Sequence, residues 1–126
     1  MKGAIVKTVL VVDDEEAVVE FVSSLLEDIG YRVLRAYDGR EALDIARQEH
    51  PDLILTDIMM PILNGLELCR QLRANPETST IPIVFMTAGR LPVTECPGAM
   101  VLSKPFDLNT LEDAIACALA SASPGT

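Results

Sequence analysis

The 126-residue sequence predicts one α/β domain built on a parallel sheet, and three observations lead to it. Short apolar runs alternate with stretches of helical spacing along nearly the whole chain. The central runs are apolar on both alternations, as strands buried on both faces are. The length suits a single domain, which at this size removes enough surface from water to need no staples. Hydrophobic residues make up 49% of the chain but aromatic ones only 4%, so Val, Ile, Leu and Ala must build the core.

The elements follow in order. Val9 to Val12 reads as the first strand, closed by Asp13 and Asp14 and far too short to cross a bilayer. Phe21, Val22, Leu25, Leu26 and Ile29 then mark one face of a helix from about Glu15 to Asp28, which Gly30 can stop. Val18 and Val19, near its start, read equally as apolar surface beyond what the core needs or as partly buried residues. Val33 to Ala36 is a weaker second strand. Glu41, Ala42, Leu43, Ile45 and Ala46 form a second helix that must end before Pro51. Leu53 to Leu55 is the third strand, and Leu66, Leu68, Cys69 and Leu72 space a third helix, broken by the loop Ala74 to Thr80. Ile81 to Met86 and Ala99 to Leu102 are the last two strands. Between them Gly89 to Gly98 carries Pro92 and Pro97, so the fourth helix of the alternation is expected to be short or missing. Asp107 can cap a final helix carrying Leu108, Leu111, Ile115 and Leu119. Residues 1–126 are read as a single domain with its core at about 8–119, and Ser121 to Thr126 as a tail or the start of a linker.

Ten basic residues against nineteen acidic ones leave a formal charge of −9. That field argues against nucleic acid as a direct partner and suits a metal cation or a basic protein surface. Cys69, Cys96 and Cys117 are odd in number and lack metal-ligand spacing, so the expectation is a reduced, cytoplasmic protein whose cysteines fill core or surface, with Cys96 the one to watch for oxidation. No signal-peptide cleavage site follows the first apolar run, and no membrane contact is expected. His50, ahead of Pro51, reads as a solvated helix end.

In open parallel sheets, ligands bind beyond the carboxyl ends of the strands. The first strand delivers Asp13 and Asp14 there, the third Asp57, the fourth Thr87 and the fifth Lys104. A carboxylate can act as nucleophile and form an acyl phosphate. Clustered carboxylates repel one another unless a cation shares the site, and magnesium suits an oxygen-only set that also meets phosphate. A threonine hydroxyl can donate to a phosphoryl oxygen, and a lysine can neutralise another as a point charge. Taken singly, the Asp-Asp pair is more often a solvated turn or cap, Thr87 a strand end and Lys104 a surface lysine, and Asp57 could cap or turn. Their joint placement at the ends of four strands is the specific signal.

These residues lie in stretches that resemble bacterial response-regulator receiver domains from about Thr8 to Leu119. The carrying segments are Val9-Leu-Val-Val-Asp-Asp-Glu15, Asp52-Leu-Ile-Leu-Thr-Asp-Ile-Met-Met-Pro61, Asn64-Gly65, Met86-Thr-Ala88 and Lys104-Pro-Phe106. The resemblance implies a flavodoxin-like (βα)5 doubly wound sheet of order 2-1-3-4-5. It implies that Asp57 accepts a phosphoryl group from a sensor histidine kinase, a phosphotransfer protein or a small phosphodonor. Asp14, Asp57 and the carbonyl of Met59 would bind Mg²⁺, with Asp13 acting largely through water, and Thr87 and Lys104 would hold phosphoryl oxygens. The Lys104–Pro105 peptide would be cis, Gly65 would ease the turn into the third helix, and kinases would dock beside the first helix. Such a chain catalyses only its own phosphorylation and dephosphorylation, and signals to a downstream protein or a fused output domain.

Two departures stand out. Receivers commonly place an aromatic residue three positions before the lysine, where this chain has Val101, which can pack but cannot swap an exposed phenol for a buried one. The stretch from Thr87 to Lys104 is also shorter than usual. Together they raise an alternative, a receiver-fold docking module whose switching is weakened or independent of phosphorylation. Met59 and Met60 are expected to pack the loop after Asp57, and Met59 to influence water access to the acceptor.

Overall fold

The computed structural model describes residues 6–88, 96 and 99–122, without the side chains of 121 and 122. Among them are strands β1 (Thr8–Val12), β2 (Arg32–Ala36), β3 (Leu53–Asp57), β4 (Ile83–Thr87) and β5 (Met100–Ser103), and helices α1 (Glu16–Asp28), α2 (Gly39–Glu49), α3 (Gly65–Ala74) and α4 (Leu108–Ala122). The strands are all parallel, in the order β2-β1-β3-β4-β5. This is the flavodoxin-like arrangement, and its strand order reverses beside β1. The short or missing fourth helix was expected within residues 89–98, and of these only Cys96 is described.

Alternation along the strands divides the core into two layers. Val9, Val11, Leu53, Leu55, Val84 and Met86 face α1 and α4, packing with Val19, Leu26, Leu111 and Ile115. Leu10, Val12, Ile54, Ile83 and Phe85 face α2 and α3, packing with Ala42, Ala46, Leu68 and Leu72. Every residue of β4 is buried, which explains why its sequence shows no polar alternation.

Local chemistry sets the helix ends. Asp38 and Asn64 cap α2 and α3, accepting from the backbone N–H of Glu41 at 2.8 Å and Glu67 at 2.9 Å. Gly30, at φ 102°, ends α1 as expected: the N–H groups of Gly30 and Tyr31 reach back to the carbonyls of Glu27 and Leu26, closing a Schellman motif. His50 closes α2 as an exposed residue at φ 48°.

Several expectations need correction. Phe21 is 61% exposed instead of lying on the buried face, while Val19 is buried, which decides between its two readings. Its neighbour Val18 is only partly buried. Strand β4 starts at Ile83 rather than Ile81, because the Ile81 N–H turns back to the Thr78 carbonyl and Pro82 has no N–H to give a ladder. Met60 packs the loop after Asp57, but Met59 is 77% exposed. The cysteines are not all reduced fillers: Cys69 and Cys96 form a disulfide, and Cys117 is free and exposed. Spacing in the sequence could not show this, because the pair is set by the return of the β4–β5 connection onto α3.

Candidate functional site

Asp13 and Asp14 follow β1, Asp57 ends β3, Thr87 ends β4, and Lys104 follows β5. Because β1 and β3 are neighbours at the point where the strand order reverses, their carboxyl ends open a crevice there. Carboxylate oxygens of Asp13, Asp14 and Asp57 lie within 4.8 Å of one another. The Lys104 ammonium reaches across from β5, with Nζ 3.2 Å from Asp13 Oδ2 and 3.7 Å from Asp57 Oδ2. The structure therefore gathers three carboxylates and one ammonium, with Thr87 on the intervening strand end.

Backbone groups hold these side chains in place. The Glu15 N–H donates to Asp13 Oδ1 at 2.9 Å, and the Ile58 N–H donates to Asp57 Oδ1 at 2.7 Å. The buried Thr56 hydroxyl donates to the Asp57 carbonyl at 2.8 Å. The Lys104 N–H donates to the Thr87 carbonyl at 2.8 Å, tying the ends of β4 and β5 together just ahead of the cis Lys104–Pro105 peptide. None of these backbone donors shows in a sequence, since every residue but proline carries one.

Asp13 is fully buried, and that burial pushes its carboxyl above the usual carboxylate range. The Glu15 amide and the Lys104 ammonium pull it back, while the negative charge of Asp57 adds to the rise. Among the described residues, Lys104 is the one cation set against these three acids. A second positive charge would relieve the remaining repulsion, and an oxygen-only donor set that is open at the exposed Asp14 fits a hard divalent ion.

Gly65, the first residue of α3, is required for a reason other than turn strain. A Cβ there would stand 2.5 Å from the Asp57 carbonyl oxygen and 2.9 Å from Ile58 Cα, while its own N–H donates to the Ile58 carbonyl at 2.9 Å. The helix start is thus seated directly on the backbone of the candidate acceptor. In the intervening loop, the exposed Ile62 takes φ 72°, and the Leu63 N–H donates to the Pro61 carbonyl at 2.7 Å, forming a γ-turn.

Beside the acidic crevice runs an apolar groove of about 540 Å³, walled by Ala17, Val18, Phe21 and Val22 of α1 and by Ala88, Pro105 and Phe106. Lys104 lines it as well, so groove and crevice share a wall. Phe21 and Phe106 were not singled out for this role from sequence. The signal for Phe21 is its pairing with the fully buried Val22, which leaves one of two adjacent apolar positions on a helix facing outward.

Residues 9–116 match the family model described as the response regulator receiver domain. The chain is 38% identical to protein PilH of Pseudomonas aeruginosa PAO1 over 117 residues, covering 89% of this chain and 97% of PilH. It is 49% identical over 82 residues to the alkaline phosphatase synthesis transcriptional regulatory protein PhoP of Bacillus subtilis, covering 65% of this chain and 33% of PhoP. Among solved structures, the receiver domain of sensor histidine kinase PA1611 from P. aeruginosa superposes with a TM-score of 0.83 at 28% identity, covering 92% of this chain and 99% of that one. That structure has a magnesium ion coordinated in its active-site cleft. The chain thus spans nearly the whole of one curated relative and about a third of another.

Proposed function

Since this chain belongs to the response regulator receiver domain family of two-component signalling, we propose that it is a phosphorylation switch whose acceptor is Asp57. The observation that carries this reading is the approach of the Lys104 ammonium to 3.7 Å from Asp57 Oδ2, beside Asp13 and Asp14.

The Ile58 N–H holds Asp57 Oδ1, which leaves Oδ2, on the Lys104 side, to attack phosphorus. In transfer from a phosphohistidine, the new O–P bond forms as the N–P bond breaks, and the departing imidazole takes up a proton. Lys104 and the Thr87 hydroxyl meet the phosphoryl oxygens, as a point charge and a donor respectively. Asp14, Asp57 and the Met59 carbonyl are the groups that would hold Mg²⁺, with Asp13 reaching it through water. Bound there, the ion would neutralise the carboxylates and offset charge on the phosphoryl group. Hydrolysis of the acyl phosphate returns the Asp57 carboxylate and inorganic phosphate. The exposed Met59 side chain stands two residues beyond the acceptor, where it can screen that water.

The phosphodonor is a sensor histidine kinase or phosphotransfer protein, seated on the groove beside α1 so that its histidine faces the crevice. Output passes to a downstream protein or a fused domain, and the cytoplasm is the expected setting. Among the described residues, no helix is long and apolar enough to cross a membrane.

Incubation with Mg²⁺ and a small acyl-phosphate donor, read by intact mass, tests the chemistry. The parent is expected to gain one phosphoryl group. Asp57→Asn should gain none, and chelation of the metal should abolish the gain. A parent that stays unmodified and forms no beryllofluoride complex would favour the docking module instead.

A further inference from the structure

We propose that Cys69 and Cys96 are an oxidisable thiol pair, a modification site whose state governs how readily the acidic crevice opens. Cys69 lies in the middle of α3, the helix seated through Gly65 on the Asp57 backbone. Cys96 belongs to the connection that leaves the sheet after Thr87 and returns to it at Met100, the start of the strand that leads to Lys104. Their Cα atoms are 6.3 Å apart, a separation at which two cysteines bond without backbone movement. Both residues are 1% exposed and lie in the same hydrophobic layer, and the Cys96 carbonyl is held by the Ala99 N–H at 3.1 Å.

The sequence of this connection explains why a covalent tie has a use here. It carries Gly89, Pro92, Pro97 and Gly98, residue types that disfavour a helix. Bond formation needs an oxidant, and a small-molecule disulfide serves. One protein thiolate attacks it and releases one small thiol. The second protein thiolate then attacks the mixed disulfide and releases the other, so the pair loses two electrons and two protons while the reagent gains them. The structure holds the bonded, oxidised state, and a reducing cytoplasm would return the pair to thiols.

The effect on the site, which rests on the phosphoacceptor reading, follows from where the bond lies. With Lys104 Nζ already 3.7 Å from Asp57 Oδ2, a phosphoryl group enters only as the ammonium gives way on the Thr87–Lys104 side. The bond joins α3, whose start is seated on the Asp57 backbone, to the connection that follows Thr87. Oxidation should therefore stabilise the fold and slow phosphorylation.

The test uses the Cys117→Ser chain, which removes the free exposed thiol. The chain is equilibrated in glutathione buffers of varied ratio and trapped with N-ethylmaleimide under denaturing conditions. Intact mass should show two adducts in the reduced form and none in the oxidised. Oxidation should raise the Tm by on the order of 10 °C for a closed loop of this length. It should slow phosphorylation by a small phosphodonor by about fivefold or more. Cys96→Ser should keep one rate in every buffer. Two adducts persisting in the most oxidising buffer, or a bond that leaves the phosphorylation rate unchanged, overturns the proposal. If neither form is phosphorylated, the phosphoacceptor reading falls, and adduct count and Tm still decide the thiol pair.

Discussion

At the residue scale, the acidic crevice depends on one position that carries no functional group. Gly65 has an ordinary helical backbone, so its need for a missing Cβ comes from the Asp57 carbonyl lying where that atom would go. Gly65→Ala must push either α3 or the Asp57–Ile58 peptide aside, an overpacking cost of about 1–3 kcal/mol. The displaced peptide is the one whose N–H holds Asp57 Oδ1. The expected outcome is a lower urea midpoint together with slower phosphorylation at saturating Mg²⁺. A variant with unchanged midpoint and rate would show that the helix start is free to move. Gly65 is legible in the sequence as part of an Asn-Gly pair before a helix, but its reason is not, because the clashing atom lies eight residues back along the chain.

At the scale of elements, the helix ends follow the local chemistry of their residues. Asp107 accepts the Thr110 N–H at 2.8 Å at the start of α4, and that backbone bond, first among its interactions, holds its carboxyl below the usual range. The folded state therefore binds this proton less tightly than the unfolded chain. The stabilisation is fully present above the unfolded carboxylate value near 4 and is lost as pH falls through the lower folded value. Asp107→Asn keeps an acceptor but removes the charge. Urea titrations should find the variant less stable than the parent at pH 7, with the gap closing as pH drops below the unfolded carboxylate value. A gap independent of pH would assign the effect to packing. The α4 start was visible in advance because capping is a local contest between a side chain and nearby N–H groups. The start of β4 was visible only to within two residues, because Pro82 and the turn at Thr78 decide it together.

At the scale of the whole molecule, the groove beside the crevice belongs to no single element. Its walls come from α1 and from residues around Lys104, which are joined only by the folding of the sheet. Phe21 is 61% exposed, so Phe21→Ala should cost the fold little. If the phosphodonor docks there, the substitution should slow transfer from a phosphorylated histidine domain by roughly tenfold, the weight of an aromatic interface anchor. Transfer from a small phosphodonor should be unchanged. Equal slowing with both donors would place Phe21 in the crevice chemistry, and no slowing with either would move the docking face elsewhere.

The sequence by itself determined the parallel α/β architecture, the order of its described elements and the residues offered at the strand ends. Hydrophobic periodicity, caps and strand-end polar residues are local properties, and a parallel sheet sends every strand's carboxyl end to the same edge. Tertiary structure alone decided which backbone N–H groups hold Asp13 and Asp57, why Gly65 lacks a side chain, and that Phe21 faces a groove while Val19 enters the core. It also brought Cys69 and Cys96 together across 27 residues of chain. Each of these is a contact between segments distant in sequence, or a backbone group every residue shares, and neither leaves a mark in the order of side chains.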